Sequence, residues 1–266
     1  PELLVYKGIV VFLLLLGLFV AERHFPSVVV PDQLKTNHRN VKNIFLWLCN
    51  SAISPFIIFP ITLYAVGWGV DRGNIWPLSW FGILLDVVIL DFWIYWWHRA
   101  NHRLPFLWRF HQVHHLDQWL DVTSAVRFHF GEVLLSSLVR ATVIVCLGMP
   151  LISVVIFESL VLLGAGFHHS NLKLPMKVER GLSKLIITPS IHWVHHHNIQ
   201  KDTDSNYGTL FSFWDRVFSS RSKNRRVSNM AIGVEGQEDK GYYSYWFYLS
   251  SENLVLFSPV EQIQGV

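Results

Sequence analysis

Charged residues and cysteine are both scarce in this chain of 266 residues. Asp, Glu, Lys and Arg together make up only 15% of it, whereas apolar residues make up 51%, and the mean hydropathy is +0.31. This balance argues against an ordinary soluble domain and favours a membrane-embedded domain with a polar cap. The only two cysteines, Cys49 and Cys146, both lie in apolar stretches, which argues against a disulfide framework.

The sequence also lacks a basic stripe with interleaved aromatic residues, a Walker loop and a GxGxxG motif. Its net charge of +3 is small, and a basic surface facing a membrane explains this charge better than nucleic-acid binding does. We therefore expect no nucleic-acid partner.

Long apolar runs predict the membrane segments. Residues 3–20 are long enough to cross a bilayer, and no small-residue cleavage site follows them, so we expect a retained transmembrane helix. A second span is predicted at 44–66, interrupted by prolines, and a third at 75–97. The run 133–167 contains Gly148-Met149-Pro150 at its centre, which favours a hairpin of two short helices over one long span.

Basic residues predict the orientation of these spans. Most of them lie in the segments after the first and third spans and after the hairpin, and the opposite loops carry almost none. The positive-inside rule then places every histidine-rich segment on the cytoplasmic face.

Histidines at repeated short spacings are the most informative feature of the chain. Eight of the fourteen fall into one HxxxH and two HxxHH patterns, namely His98 and His102; His111, His114 and His115; and His192, His195 and His196. On a helix, residues three and four apart share a face, so each pattern points its imidazoles in one direction. Three such groups offer more nitrogen ligands than one tetrahedral zinc can use, which predicts a site for two metal ions. Imidazole suits iron and zinc alike, so the spacing alone leaves the metal open.

Three of the charged residues inside the predicted spans are informative about function. Asp91 precedes His98 by seven residues and occupies nearly the same angular position, so it either orients the metal site or makes a helix-packing hydrogen bond. Arg140 and Glu158 lie nine residues on either side of Met149, which predicts similar depth and a contact between them. That contact is either a structural ion pair or a polar contact to a lipid headgroup or substrate hydroxyl.

The three patterns and their flanks resemble the sterol desaturase / fatty acid hydroxylase superfamily of integral membrane enzymes. These three patterns, the histidine boxes, occur in the family's order, HxxxH, HxxHH and HxxHH. They lie within residues 91–218, nearly half of the chain. The flanking motifs also agree: D-F-x-x-Y-W-x-H-R from Asp91, R-x-H-x-x-E from Arg127, T-P-x-x-H-x-x-H-H from Thr188, N-Y-G from Asn206 and W-D-R-x-F from Trp214.

This resemblance implies an all-α integral membrane fold of about four transmembrane helices under a cytosolic helical cap with a polyhistidine di-metal site. It also implies two iron ions, which zinc can replace in recombinant protein, and O2 as co-substrate. The implied ligands are the eight box histidines together with His129 and His169. Family members have a ligand histidine shortly before the last box, and His169 matches that position better than His168 does. The alternative for His129 is a hydrogen bond that holds its loop. Asp91 and Asn206 are the implied catalytic residues.

The expected domains are a membrane-embedded catalytic domain at 1–218 and a C-terminal cytosolic tail at 219–266 that packs on the cap. The expected function is O2-dependent hydroxylation of a membrane lipid, sterol or acyl chain. The resemblance implies a separate ferredoxin- or cytochrome b5-like electron donor with its reductase, and the sequence favours a multi-pass protein of a bacterial inner membrane. A desaturase, or an enzyme cleaving an ether lipid or aldehyde, would use the same ligands. A membrane metal-binding or transport protein is the alternative of another class.

Overall fold

The computed structural model describes residues 2–35, 38–73, 76–237 and 239. Within these residues the chain is helical, and its only β structure consists of isolated bridges. A 3₁₀ helix at Val122–Val126 separates α6 from α7. The α-helices are α1 (Glu2–His24), α2 (Asp32–Lys35), α3 (Arg39–Ile53), α4 (Ile58–Gly67), α5 (Trp80–Arg103), α6 (Pro105–His115), α7 (Phe130–Leu147), α8 (Leu151–His169), α9 (Met176–Leu182), α10 (Pro189–His195), α11 (Gln200–Thr203) and α12 (Phe213–Val217).

Three of these helices, α5, α7 and α8, are long and apolar enough to cross a membrane. The pair α3 and α4 makes a fourth if it is one span, bent by 47° at the break between the two helices. The predicted second span is therefore a broken helix, which agrees with the proline interruption in its sequence. This count confirms the predicted all-α fold with about four spans.

The predicted first span, 3–20, lies within α1. Phe12, Leu13, Leu14 and Leu16 of this helix are all exposed, as expected where lipid covers a helix. Its passage through the membrane remains a prediction.

The predicted third span, 75–97, lies largely within α5, but its start was placed too early. Ser79 caps the helix by accepting the Gly82 N–H at 3.1 Å, so α5 begins at Trp80. At the other end it continues to Arg103, and Leu104 separates it from Pro105, which starts α6. Proline disfavours the helical conformation in the residue before it, but proline itself suits the first turn of a helix. Hence α5 carries the whole first histidine box beyond its apolar segment.

The predicted hairpin is confirmed as α7 and α8. Gly148 ends α7 in the left-handed conformation at φ 58°, where a side chain would also collide with the Val70 carbonyl. Pro150 then precedes the first turn of α8. The two helices pack mainly on other parts of the chain, α7 on α4 and α8 on α1, α5 and the 3₁₀ helix.

The main apolar core lies where α4, α5, α7 and α8 meet. It is formed by Ala65, Val87, Leu90, Val143, Ile144, Met149, Val154 and Phe157, all less than 5% exposed. Each of these helices contributes its buried side chains to a single cluster, so the core fixes how the spans are arranged beneath the histidines.

A buried polar network joins α3 to the segment around the 3₁₀ helix. Arg39 forms ion pairs with Asp117 and Asp121, and Asn43 donates to Asp117 at 2.9 Å and to Thr123 at 3.0 Å. Buried charges are tolerated when they are paired and hydrogen-bonded, as these are. The network therefore holds the segment between the second box and α7 in place.

Candidate metal centre

Nine histidines converge into two adjacent groups of potential ligands. In each group one side-chain nitrogen per residue lies within 4.8 Å of the corresponding atoms of the others. The five-histidine cluster consists of His98, His102, His111, His115 and His195. The four-histidine cluster consists of His114, His169, His192 and His196. All eight box histidines and His169 are thus brought together, although almost a hundred residues separate the first box from the third.

Local helix geometry explains how each box is divided. Both residues of the first box lie near the end of α5, one turn apart, and belong to the five-histidine cluster. Consecutive residues of a helix point about 100° apart, so His114 and His115 of α6 turn towards different clusters. The same holds for His195 and His196 at the end of α10. The HxxHH pattern therefore contributes potential ligands to both clusters.

Hydrogen bonds fix the orientation of five of the rings. Each uses Nδ1 to donate to an oxygen that can only accept: His98 to Tyr207 O (2.8 Å), His111 to Glu132 Oε1 (2.8 Å), His114 to Arg127 O (3.1 Å), His169 to Ala165 O (2.8 Å) and His195 to Ser205 O (2.6 Å). A neutral imidazole that donates from Nδ1 carries a lone pair on Nε2. Such bonds are the usual support of metal-binding histidines.

Burial keeps five histidines of the two clusters neutral, namely His114, His115, His192, His195 and His196. It lowers the pKa of His195 to about 3. Burial also holds the pKa values of His114, His115, His192 and His196 well below the usual value, with neighbouring histidines adding to the effect. At neutral pH the imidazoles therefore present lone pairs, which is the form that binds a metal ion.

The contact between His114 and His169 tests whether a cation fits. Their Nε2 atoms lie 3.0 Å apart, but both rings already use Nδ1 as the donor. Two lone pairs therefore face each other, and neither atom can donate a proton to the other. The buried Nε2 atoms of His98, His111 and His195 in the other cluster have no hydrogen-bond partner at all. A cation bound in each cluster would satisfy these nitrogens, so the residues fit two metal ions.

His129 is the one predicted ligand that lies outside both clusters. It caps α7, and its Nδ1 accepts the Gly131 N–H at 2.9 Å while its ring packs 5.1 Å from that of Phe110. The motif R-x-H-x-x-E could not separate a ligand from a cap, because the spacing does not report what the ring contacts. The two groups of potential ligands thus contain nine of the ten predicted histidines, and a ligand role for His129 stays a prediction.

Asp91 and Asn206 are buried near the clusters without joining them. The Asp91 carboxylate accepts the N–H groups of Leu210 and Phe211 and the indole N–H of Trp214. Asn206, at φ 53°, donates to Ile191 O at 3.1 Å and accepts the Ser222 N–H at 3.0 Å. Both side chains therefore hold the segment that follows the third box.

Two residues that support the site had no role in the sequence prediction. Glu132 binds His111, and its signal was the last position of the R-x-H-x-x-E motif. Tyr207, beside Asn206 in the N-Y-G motif, is fully buried, and its ring centroid lies 5.3 Å from that of His102. His168, which was ranked below His169, is buried with its ring centroid 4.0 Å from that of His192, outside the two ligand groups.

A cavity of about 290 Å³ opens onto both clusters. His98 and His111 of one cluster and His114, His169 and His192 of the other contribute to its wall. The remaining wall is largely apolar and comes from α5, α7 and α8, including Ile94, Trp97, Val133, Phe157, Val161 and Leu162. Pockets of this kind, apolar with a few convergent polar groups, are typical of small-molecule sites. The cavity would admit an apolar chain to the histidines from between the spans.

These features define a helical membrane protein with a buried polyhistidine metal site at one end of its spans. The family model for fatty acid hydroxylase matches residues 83–220, which cover just over half of the chain. The chain therefore belongs to the fatty acid hydroxylase family, as the histidine boxes predicted.

The names of the chain's relatives refer to several lipid classes. The chain is 30% identical to the ornithine lipid hydroxylase OlsE of Rhizobium tropici over 175 residues, covering 64% of this chain and 52% of that protein. It is 31% identical to the alkylglycerol monooxygenase of Xenopus tropicalis over 144 residues, covering 54% of this chain and 30% of that protein. It is 26% identical to a cholesterol 25-hydroxylase-like protein of Danio rerio over 164 residues, covering 60% of this chain and 61% of that protein. The chain thus spans about half of the first relative and less than a third of the second. No solved structure matches it significantly.

Proposed function

We propose that the chain is an O2-dependent di-iron monooxygenase that hydroxylates a C–H bond of a membrane lipid, sterol or acyl chain. The cavity carries this proposal, because it brings an apolar compartment between the spans into contact with both histidine clusters. A metal transporter would instead need ligands along a path through the membrane, whereas these nine histidines gather at one end of α5 and α8.

The two clusters would hold one iron ion each. Bound iron supplies the redox chemistry with O2 that imidazole and carboxylate side chains lack; zinc, which has no redox chemistry, would fill the same ligands without activity. The protein contributes the orientation of the ligands, through the bonds from Nδ1, and the exclusion of water. Its apolar wall holds the reacting chain beside the clusters.

Electrons must come from outside the site, because none of its side chains can supply them. We propose a separate ferredoxin- or cytochrome b5-like donor with its reductase. We also propose that the histidine end of the spans faces the cytoplasm of a bacterium, since the basic residues concentrate on that side.

We further propose that 1–218 is the catalytic domain and that 219–266 is a tail packed on the cap. In its described part the tail contacts the third box: Gly233 N–H donates to His196 O at 3.1 Å, and Asn198 N–H donates to Ala231 O at 2.9 Å. The Arg226 guanidinium lies 3.5 Å from the centroid of the Trp193 ring. Residues 238 and 240–266, which belong to the predicted tail, lie outside the described residues.

Untargeted lipid mass spectrometry of cells with and without the protein tests this function. We expect a lipid that gains one oxygen atom in cells expressing the wild type. His114→Ala and His195→Ala should abolish the product, because each removes a ligand from one cluster. His38→Ala is the matched control, since His38 is exposed at the start of α3 and should leave product near normal.

A lipid that loses two hydrogens would instead indicate a desaturase, and cleavage products would indicate an ether- or aldehyde-cleaving enzyme. Equal loss of product in all three variants would contradict the assignment of the clusters as the active site.

A further inference from the structure

The α9 segment, residues 176–185, consists of α9 and the turn after it and has a positively charged surface. It carries three exposed cations, namely Lys177, Arg180 and Lys184. None of the three forms an ion pair with another described residue. The carboxylate of Glu179 is only partly exposed and accepts a hydrogen bond from the Ser190 hydroxyl at 2.5 Å. The charges of the hairpin differ, because Arg140 Nη2 lies 3.3 Å from Glu158 Oε1, the contact that the sequence predicted.

The α9 segment also has an exposed apolar side. Val178, Leu182 and Leu185 are 45%, 37% and 59% exposed. The turn continues the helical hydrogen bonds of α9, since the Ser183 N–H donates to Glu179 O at 2.9 Å. Residues four and seven apart share one side of a helix, so these three side chains lie together and the three cations lie on the adjacent side. The segment therefore presents a basic and an apolar side next to each other.

Backbone contacts place the end of the α9 segment beside a membrane span. Ile186 forms a β-bridge with Phe211, whose N–H donates to Asp91 of α5 at 3.1 Å. Asp91 precedes His98 by seven residues, which places it about 10 Å from the first box, towards the membrane, along α5. Leu185, next to this bridge, therefore lies at the height of a membrane-spanning helix, where lipid replaces water.

We propose that the α9 segment is a docking surface for anionic phospholipids in the leaflet beside the metal centre. Its basic side contacts the headgroup phosphates, and its apolar side lies among the acyl chains, as in interfacial amphipathic helices. Each cation near an anionic membrane surface strengthens binding by about fivefold. Because Ser190 of α10 donates to Glu179, the docked lipid also holds the third histidine box at a fixed depth.

Preference for an anionic lipid tests the basic side. The purified, metal-loaded chain is released from nanodiscs of phosphatidylcholine mixed with phosphatidylglycerol, and native mass spectrometry measures the retained lipids. Lys177→Gln/Arg180→Gln/Lys184→Gln should lower the retained ratio of phosphatidylglycerol to phosphatidylcholine at least fivefold, the effect of about one cation. Lys201→Gln/Lys223→Gln/Arg225→Gln is the matched control, because it removes three exposed cations outside the segment. The control should leave the ratio nearly unchanged.

A spin label at position 182 tests the apolar side. In a Cys49→Ala/Cys146→Ala background, a label on Leu182→Cys should collide mainly with O2, which concentrates in lipid, and little with a water-soluble nickel chelate. A label on Lys201→Cys, at an exposed position of α11, should show the opposite accessibility.

An unchanged lipid ratio in the α9 variant, or an equal loss in the control, would overturn the proposal. Free access of the nickel chelate to the label at position 182 would also overturn it, because the apolar side would then be open to a soluble partner. The spin label decides the matter even if the triple variant does not accumulate as folded protein. Neither measurement requires turnover, so failure of the proposed function would show separately, as the lack of any oxidised lipid in expressing cells.

Discussion

His111 donates from Nδ1 to the Glu132 carboxylate at 2.8 Å, and Asn101 donates to the same carboxylate oxygen at 3.2 Å. Glu132 comes from the first turn of α7, His111 from α6 and Asn101 from α5. One carboxylate thus joins the three helices around the five-histidine cluster and orients one of its ligands. Support of this kind raises the basicity of a ligand and fixes its ring.

Removal of this carboxylate should weaken metal binding without removing a ligand. We expect Glu132→Ala to lower the affinity of the five-histidine cluster by roughly 10- to 100-fold. Glu132→Gln should lose less metal affinity than Glu132→Ala, because the amide oxygen can still accept the hydrogen bond from His111. Competition with a chelator, followed by elemental analysis, measures the effect. Equal affinities in the wild type and Glu132→Ala would show that the hydrogen bond does not support the site.

The two clusters should lose their metal ions independently. Wild-type protein should contain about two ions per chain, one for each ligand group. His192→Ala/His196→Ala removes two of the four ligands of one cluster, so this variant should contain about one ion. His129→Ala is the control and should keep both, although loss of its cap should cost on the order of 1 kcal/mol of stability. Elemental analysis of active wild-type protein provides the reference. Two ions in the double variant, or one in His129→Ala, would contradict this division.

Asp91 should be essential for stability rather than for chemistry. Asp91→Ala would leave three partly buried donors without an acceptor, the N–H groups of Leu210, Phe211 and Trp214. Each unsatisfied donor costs about 1–3 kcal/mol, so we expect a much lower thermal midpoint and poor recovery of protein. Asp91→Asn keeps an oxygen acceptor, so its thermal midpoint should lie between those of the wild type and Asp91→Ala. Asp91→Ala with normal stability and normal metal content but no turnover would instead support a direct catalytic role.

The turn of the hairpin should not tolerate a side chain at Gly148. The left-handed conformation costs a residue other than glycine about 1–2 kcal/mol, and a Cβ here would also collide with the Val70 carbonyl. Gly148→Ala should therefore lower the thermal midpoint and the yield of monodisperse protein. Gly181→Ala, in α9 where a Cβ meets no atom within 4 Å, should leave both unchanged. Similar behaviour of the two variants would mean that the turn rearranges at little cost.

Several features of the protein were predictable because local sequence encodes them. Apolar runs predicted the hairpin, and Gly148 and Pro150 marked its turn, because these residues have strong backbone preferences. The spacing of the boxes predicted convergent imidazoles for a similar reason, since residues three and four apart share a helix face. The start of α5 was misplaced, because hydropathy alone does not report the cap at Ser79.

The tertiary structure decided what each residue does within this framework. Only the packing of α5, α6, α8 and α10 separates nine histidines into groups of five and four, because ligands from distant boxes meet through contacts that no local pattern contains. The same packing leaves His129 as a helix cap and makes Asp91 a support for the segment after the third box. The sequence alone determined which side chains were available for metal binding. Their division between the two clusters depends on long-range contacts, and so does the position of Arg140 in the wall of the cavity.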